Sequence, residues 1–167
     1  MCKLKNKMTL EDIKLDEIYD VAILRHGFTD YVRDYQFEIE ANWIGDLAGR
    51  YILTFKHCYD LIYKTLIDDD LIKKSWDDLF TDFETWEKHK EPDGFVWGTN
   101  WSLAYPGFEE IKDSEKANDW SKRLGKQMKE SKLETNSFEI TLIHEEWNLK
   151  KINDSSSLIR QVIIPLE

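Results

Sequence analysis

Two stretches of this chain carry residues whose types and spacing could do chemistry. In "ILRHGFTDYVRDY" at 23–35, Arg25 and His26 follow an apolar run and precede Gly27 and Thr29. A histidine beside an arginine in that setting suits phosphoryl transfer, with the imidazole attacking phosphorus and the guanidinium holding the phosphate oxygens. That chemistry also requires a second histidine, further cations, an acid for the leaving group and a parallel strand ending at the pair. His144 in "ITLIHEE" is a candidate for the second histidine. The surroundings disagree. An alternating segment follows where a loop and helix are needed, Val32 stands where the pattern has an asparagine, and the strand–helix alternation of a parallel sheet is missing downstream. The expectation is no phosphatase activity. Instead His26 and Gly27 form a strand-to-strand corner, with glycine supplying a conformation that others resist.

The second stretch is His57-Cys58. Adjacent strand residues point to opposite faces, so the two cannot share one metal, and Cys58 reads as a small buried hydrophobe. The three acids at 68–70 lack calcium-loop spacing and read as a solvated turn. No phosphate-binding glycine loop, dinucleotide fingerprint or nucleophile elbow is present, and no cofactor or metal is expected. Asp30, Arg33 and Asp34 group near His26 in sequence. They read either as an Arg–Asp pair pinning the sheet edge or as a small polar recognition site with His26. Trp97, Trp101 and Tyr105 read as core.

Positioning these residues falls to elements the pattern predicts. Residues 10–20 have a Thr9 cap, acids in the first turn and helical spacing of Leu15, Ile18, Tyr19 and Ala22, which predicts a helix. Tyr35, Phe37, Ile39, Ala41 and Trp43 alternate with Asp34, Gln36, Glu38, Glu40 and Asn42, which predicts a half-buried strand with a wet acidic face. A second long strand runs over 50–67, antiparallel to the first, with Tyr51, Leu53, Phe55, His57, Tyr59, Leu61 and Tyr63 on one face. Ser75 and Ser114 each cap a predicted helix. The stripe of the second is Ala117, Trp120, Leu124 and Met128. Strands are further predicted over 95–105, 133–152 and 157–166. "YILTFKHC" at 51–58 echoes "FEITLIHE" at 138–145, with His57 and His144 in register. The expected architecture is a single α+β domain over 1–167, an antiparallel β-sheet packed by two or three helices, with 1–8 fraying.

Composition narrows the functions. The chain has 167 residues, a net charge of −10 and seven Trp, seven Tyr and eight Phe, which suits one well-packed domain. The acidity disfavours nucleic acid and anionic membranes and favours a basic partner. Cys2 lies in the expected frayed end, so no disulfide is predicted, and no signal or transmembrane segment is recognisable, which places the protein in the cytoplasm.

Read together, "HGFTDYVRDYQFEIE", "GRYILTFKHC", "GFVWGTNWSLAYPGFEEIKDSEKANDWSKRLGKQM" and "ETNSFEITLIHEEWNL" resemble the YxiG-like domain, a bacterial family, over about 18–152. The resemblance implies a small cytoplasmic bacterial protein and brings no catalytic residue, cofactor or active site. Some members sit near secreted polymorphic toxins, which implies an immunity role. Three functional readings follow. One is a protein-binding module, including an immunity protein that neutralises a basic toxin. The others are a structural or assembly domain, and a hydrolase using His26 with Asp30, Arg33 or Asp34. In the binding reading the candidate residues are His26, Asp30, Arg33, Asp34, Glu38 and Glu40, with the last two and Asp34 forming a row of acids.

Overall fold

Alternating apolar residues dominate the architecture, and they build strands. The computed structural model of the chain describes residues 9–30, 33–43, 47–66 and 102–152. Within these, the strands are β1 (Val21–Phe28), β2 (Tyr35–Ala41), β3 (Gly49–Lys56), β4 (Asp60–Thr65), β5 (Ser102–Ala104), β6 (Gly107–Ile111), β7 (Lys129–Glu134), β8 (Phe138–His144) and β9 (Glu146–Ile152), and Glu115–Leu124 is a helix, α1. The strands form two sheets, ordered β5-β1-β2-β3-β9 and β4-β8-β7-β6. Every pairing is antiparallel.

The inward rows are those the alternation predicts: Phe37, Ile39, Leu53 and Phe55 are fully buried. They join Phe108, Leu133, Ile140 and Leu142 of the other sheet in one apolar cluster, with the Phe37 and Phe108 rings edge to face at 5.2 Å. Ile143 alternates with Leu142 and so turns to the opposite face of β8. There it meets Ala117 and Met128, with Trp120 and Leu124 of α1 packed against them. The helix begins where Ser114 Oγ accepts from the Ala117 amide at 3.0 Å, and it ends at Gly125, whose φ of 65° lies in the left-handed region.

The expectation of one sheet packed by two or three helices is overturned: there are two sheets, and α1 is the one helix among the described residues. Residues 10–20 are not a helix but two short 3-10 turns, Leu10–Asp12 and Leu15–Glu17. Side chains of Asp12 and Glu17 close each turn by accepting from the Thr9 and Lys14 amides; Ile13 is extended between the turns, and Ile18, just after the second, is irregular. Spacings of three serve a 3-10 turn as well as a helix, so the pattern did not separate them. The predicted helix after Ser75, the strand at 157–166, the acids at 68–70 and most of 95–105 lie outside the described residues.

The predicted long strands are also divided. The 50–67 run becomes β3 in one sheet and β4 in the other, and 133–152 becomes the end of β7, then β8 and β9. Lys56 pairs with Glu146 and Asp60 with Ile143, so three residues at 57–59 stand opposite two at 144–145. This is a bulge, and it bends the β3–β4 and β8–β9 ribbon from one sheet into the other. His57 takes a φ of 51° there. The two echoing segments, 51–58 and 138–145, thus meet at the crossing.

Candidate functional site

His26 lies within β1 opposite Phe37, and Gly27 has no positive φ, so the expected corner is absent: the pair sits in a regular stretch of strand. Leu24, just before it, is the bulged residue, since Ile23 pairs with Ile39 and Arg25 with Glu38. Past that bulge the His26 ring turns inward. Its Nδ1 is 2.6 Å from Tyr35 Oη, and its ring lies 5.0 Å from Phe138, 5.6 Å from Phe37 and 6.2 Å from Tyr63. Burial lowers the His26 pKa, which favours the neutral imidazole. Burial, followed by Tyr63 and Cys58, pushes the Tyr35 phenol up to about 12. The Tyr35 phenol is therefore not poised to give up a proton near neutrality. β1 runs antiparallel to both neighbours, so His26 does not have the parallel-strand setting of histidine-based phosphoryl transfer.

The connection from β1 to β2 meets the sheet crossing. The expected Arg33–Asp pair does not form. Arg33 Nη1 donates to Tyr59 Oη at 3.2 Å and its guanidinium carbon lies 4.9 Å from the Tyr59 ring centroid. Asp34 Oδ1 accepts from the His57 amide at 3.0 Å, and the Arg33 carbonyl accepts from the Cys58 amide at 2.6 Å. Asp34 therefore caps the bulge, which steadies the left-handed His57 backbone. Asp30 is exposed, and no hydrogen bond or ion pair reaches its side chain among the described residues.

His57 turns to Glu145, with Nδ1 at 2.7 Å from Oε2, and Lys126 reaches the same oxygen at 3.4 Å. The hydrogen bond from His57, and then that from Lys126, lower the Glu145 carboxyl pKa. Cys58 packs against the core cluster as expected of a small hydrophobe. Burial pushes its thiol up to about 12, the reverse of what a nucleophile needs.

Glu38 and Glu40 were expected on a wet row with Asp34. Glu38 is 6% exposed, and its carboxylate is ion-paired with Arg25. Ile52 and Thr54, on the same face of the neighbouring strand, are covered too. Only Glu40 fits the expectation, half exposed and 3.3 Å from Arg50. β2 is a central strand, and its polar row is covered at the middle, which alternation alone does not reveal. His144, the second histidine of the phosphoryl-transfer reading, is fully buried with Nε2 at 2.8 Å from Ser131 Oγ, and burial pushes its pKa down to about 4.

Sequence reasoning missed the surface aromatics. Tyr105, expected in the core, is 66% exposed, and Tyr19 is 54% exposed. Tyr59 leaves the predicted row because of the bulge and packs beside Trp120, ring centroids 5.6 Å apart. Among the described residues no group of three or more His, Cys, Asp or Glu side chains could hold a metal ion, and no helix is long and apolar enough to cross a membrane.

Fold and site define a two-sheet antiparallel β protein whose polar groups mostly pin strands and bulges. The chain belongs to the YxiG-like protein family, whose profile matches residues 7–161. The match extends beyond the 18–152 of the sequence reading at both ends and takes in residues after Ile152. No curated protein matches the chain. A crystal structure of an uncharacterized protein from Neisseria gonorrhoeae is similar to it at 9% identity and a TM-score of 0.37, covering 80% of this chain and 93% of the other.

Proposed function

We propose that this protein is a cytoplasmic protein-binding module that neutralises a basic protein, in the manner of an immunity protein holding a toxin. One surface carries the reading. The segment 15–20 lies along β5 and β6, with Asp20 N donating to Ala104 O at 2.8 Å and Phe108 N to Ile18 O at 3.1 Å. Among the described residues the two most exposed large apolar side chains, Tyr105 and Tyr19, sit on these adjoining segments. Asp16 and Asp20 on the first segment and Glu109 on β6 are exposed too, and no cation pairs with these three among the described residues. Acids of this kind speed encounter with a cationic partner, and tyrosines supply anchors with a polar tip. The net charge of −10 extends the attraction beyond contact. The enclosed His26 and the high thiol pKa of Cys58 suit binding better than catalysis.

The test is protection of cells producing toxins encoded beside this gene. The wild-type protein is expected to restore growth against one of them. Tyr19→Ala with Tyr105→Ala, and separately Asp16→Lys with Glu109→Lys, should stay folded and lose that protection. Failure of the wild-type protein against every such toxin, or full protection by both variants, overturns the proposal.

A further inference from the structure

The geometry points to a second docking site, of opposite sign, in the stacked row Arg33, Tyr59, Trp120 and Arg123, whose occupant is a carboxylate-bearing segment of a protein partner. The row draws on three elements: the β1–β2 connection, the bulge at the sheet crossing, and α1. Arg33 lies over the Tyr59 ring at 4.9 Å, Tyr59 and Trp120 are 5.6 Å apart and tilted by 35°, and Arg123 lies 4.0 Å from the Trp120 ring centroid. Backbone bonds fix the frame. Cys58 N donates to Arg33 O at 2.6 Å, Tyr59 N donates to Ile143 O at 2.9 Å, and Ala117 seats α1 on Met128 and Ile143.

Charge bookkeeping singles this row out. The chain has 33 acids against 23 Lys and Arg, so a cation here has abundant acidic partners. Arg25 takes Glu38 and Arg50 takes Glu40. Arg33 and Arg123 are the arginines left without a carboxylate among the described residues, and both flank the same aromatic pair. Arg123, over the Trp120 ring, keeps its in-plane N–H groups turned outward in a fork that matches a carboxylate, and Arg33, whose Nη1 donates to Tyr59 Oη, keeps its remaining N–H groups for one. Stacking also restricts the side chain beforehand, which lowers the entropy lost when a partner docks. Arg, Tyr and Trp are the side chains that dominate binding energy at protein interfaces.

A polymer of phosphates fits less well. Each ring already carries a guanidinium, which takes up aromatic surface that a base would stack on, and an extended polyanion meets the repulsion of the whole acidic molecule. A short acidic segment avoids both, because its carboxylates act at contact range on two prepared forks.

This inference does not rest on the basic-partner reading and concerns other residues. The experiment titrates the full-length, isotope-labelled protein with an oligo-aspartate peptide, and in parallel with inorganic phosphate and an oligo-lysine peptide at matched ionic strength. The arginine Nε–H and tryptophan indole signals are followed by NMR. The expected result is saturable movement of the Arg33, Arg123 and Trp120 signals with oligo-aspartate alone, weakened at least about tenfold in Arg33→Gln/Arg123→Gln. Asp16→Lys/Glu109→Lys should bind oligo-aspartate through the same signals, which separates this site from the acidic one. Three results overturn it: no movement, equal movement with phosphate, which would show an adventitious ion only, or undiminished binding by the double arginine variant.

Discussion

At Glu38 a single carboxylate shows how strand position decides a residue's role. On an edge strand it would be a wet acid and tolerate charge reversal. On the central β2 it is 6% exposed and held by Arg25. Glu38→Lys places a covered cation beside Arg25 and leaves it without a carboxylate, so it should cost roughly 3 kcal/mol. Glu40→Lys, half exposed against Arg50, should change stability by about 1 kcal/mol or less. Urea titration of both variants measures the difference, and equal small effects would show that Glu38 is in contact with water. His144 gives a pH dependence of definite sign. Its folded-state pKa is depressed to about 4, below the 6.5 of an unfolded histidine. The unfolded chain therefore binds the extra proton first. The stabilisation is complete above about pH 6.5 and is lost as pH falls towards 4, by roughly 3 kcal/mol in total. His26, lowered by burial, adds in the same direction. Stability measured across this range should fall with acid, and His144→Gln should flatten much of the slope, whatever it costs at pH 7.

Among the elements, those set by local pattern were legible and those set by a backbone irregularity were not. Phe37, Ile39, Leu53 and Phe55 announce their strands by alternation, and all four are buried. Helix α1 is written into its start and its stripe, Ser114 and then Ala117, Trp120 and Leu124 at helical spacing; the predicted stripe ran on to Met128, whereas the helix stops at Gly125. Removing either end should be felt, with Ser114→Ala and Gly125→Ala each costing about 1 kcal/mol in thermal or urea unfolding. The crossing between sheets had no such signal, because apolar alternation continues from Phe55 through Tyr63 while the ladder slips by one residue at 57–59. The candidate site suffered from the same gap. Arg33 meets Tyr59, and not Asp30 or Asp34, only because the bulge turns Tyr59 out beside Trp120. Gly107 makes the acidic surface equally dependent on backbone. Its φ is 108°, and a Cβ there would stand 2.7 Å from Tyr19 Cβ and 2.8 Å from Ile18 O. Gly107→Ala should destabilise the fold by about 2 kcal/mol or more and disturb the seat of Tyr19, and a thermal melt no different from wild type would contradict that packing.

For the molecule as a whole, the excess of acids acts beyond any one contact. Many cations are already committed to close pairs, such as Lys56 with Glu146 at 2.8 Å and Lys132 with Glu134 and Glu139, both at 2.8 Å. What remains is a net charge of −10, spread over the surface and repelling itself through solvent. The two terms respond to salt differently. Ion pairs in contact are screened weakly. Repulsion between distant carboxylates is largely removed once the Debye length falls from about 30 Å at 0.01 M to about 10 Å at 0.1 M. Added salt should therefore stabilise this protein at pH 7, by roughly 1 kcal/mol or about 3 °C in melting temperature for a chain of this size. Near the isoelectric point of about 4.9 the net repulsion is gone, so the same salt should leave the melting temperature unchanged or lower it by weakening the remaining pairs. Melting curves at two salt concentrations and two pH values decide this. Destabilisation by salt at pH 7 would mean that the close ion pairs, and not the unpaired acids, dominate the electrostatics of the fold.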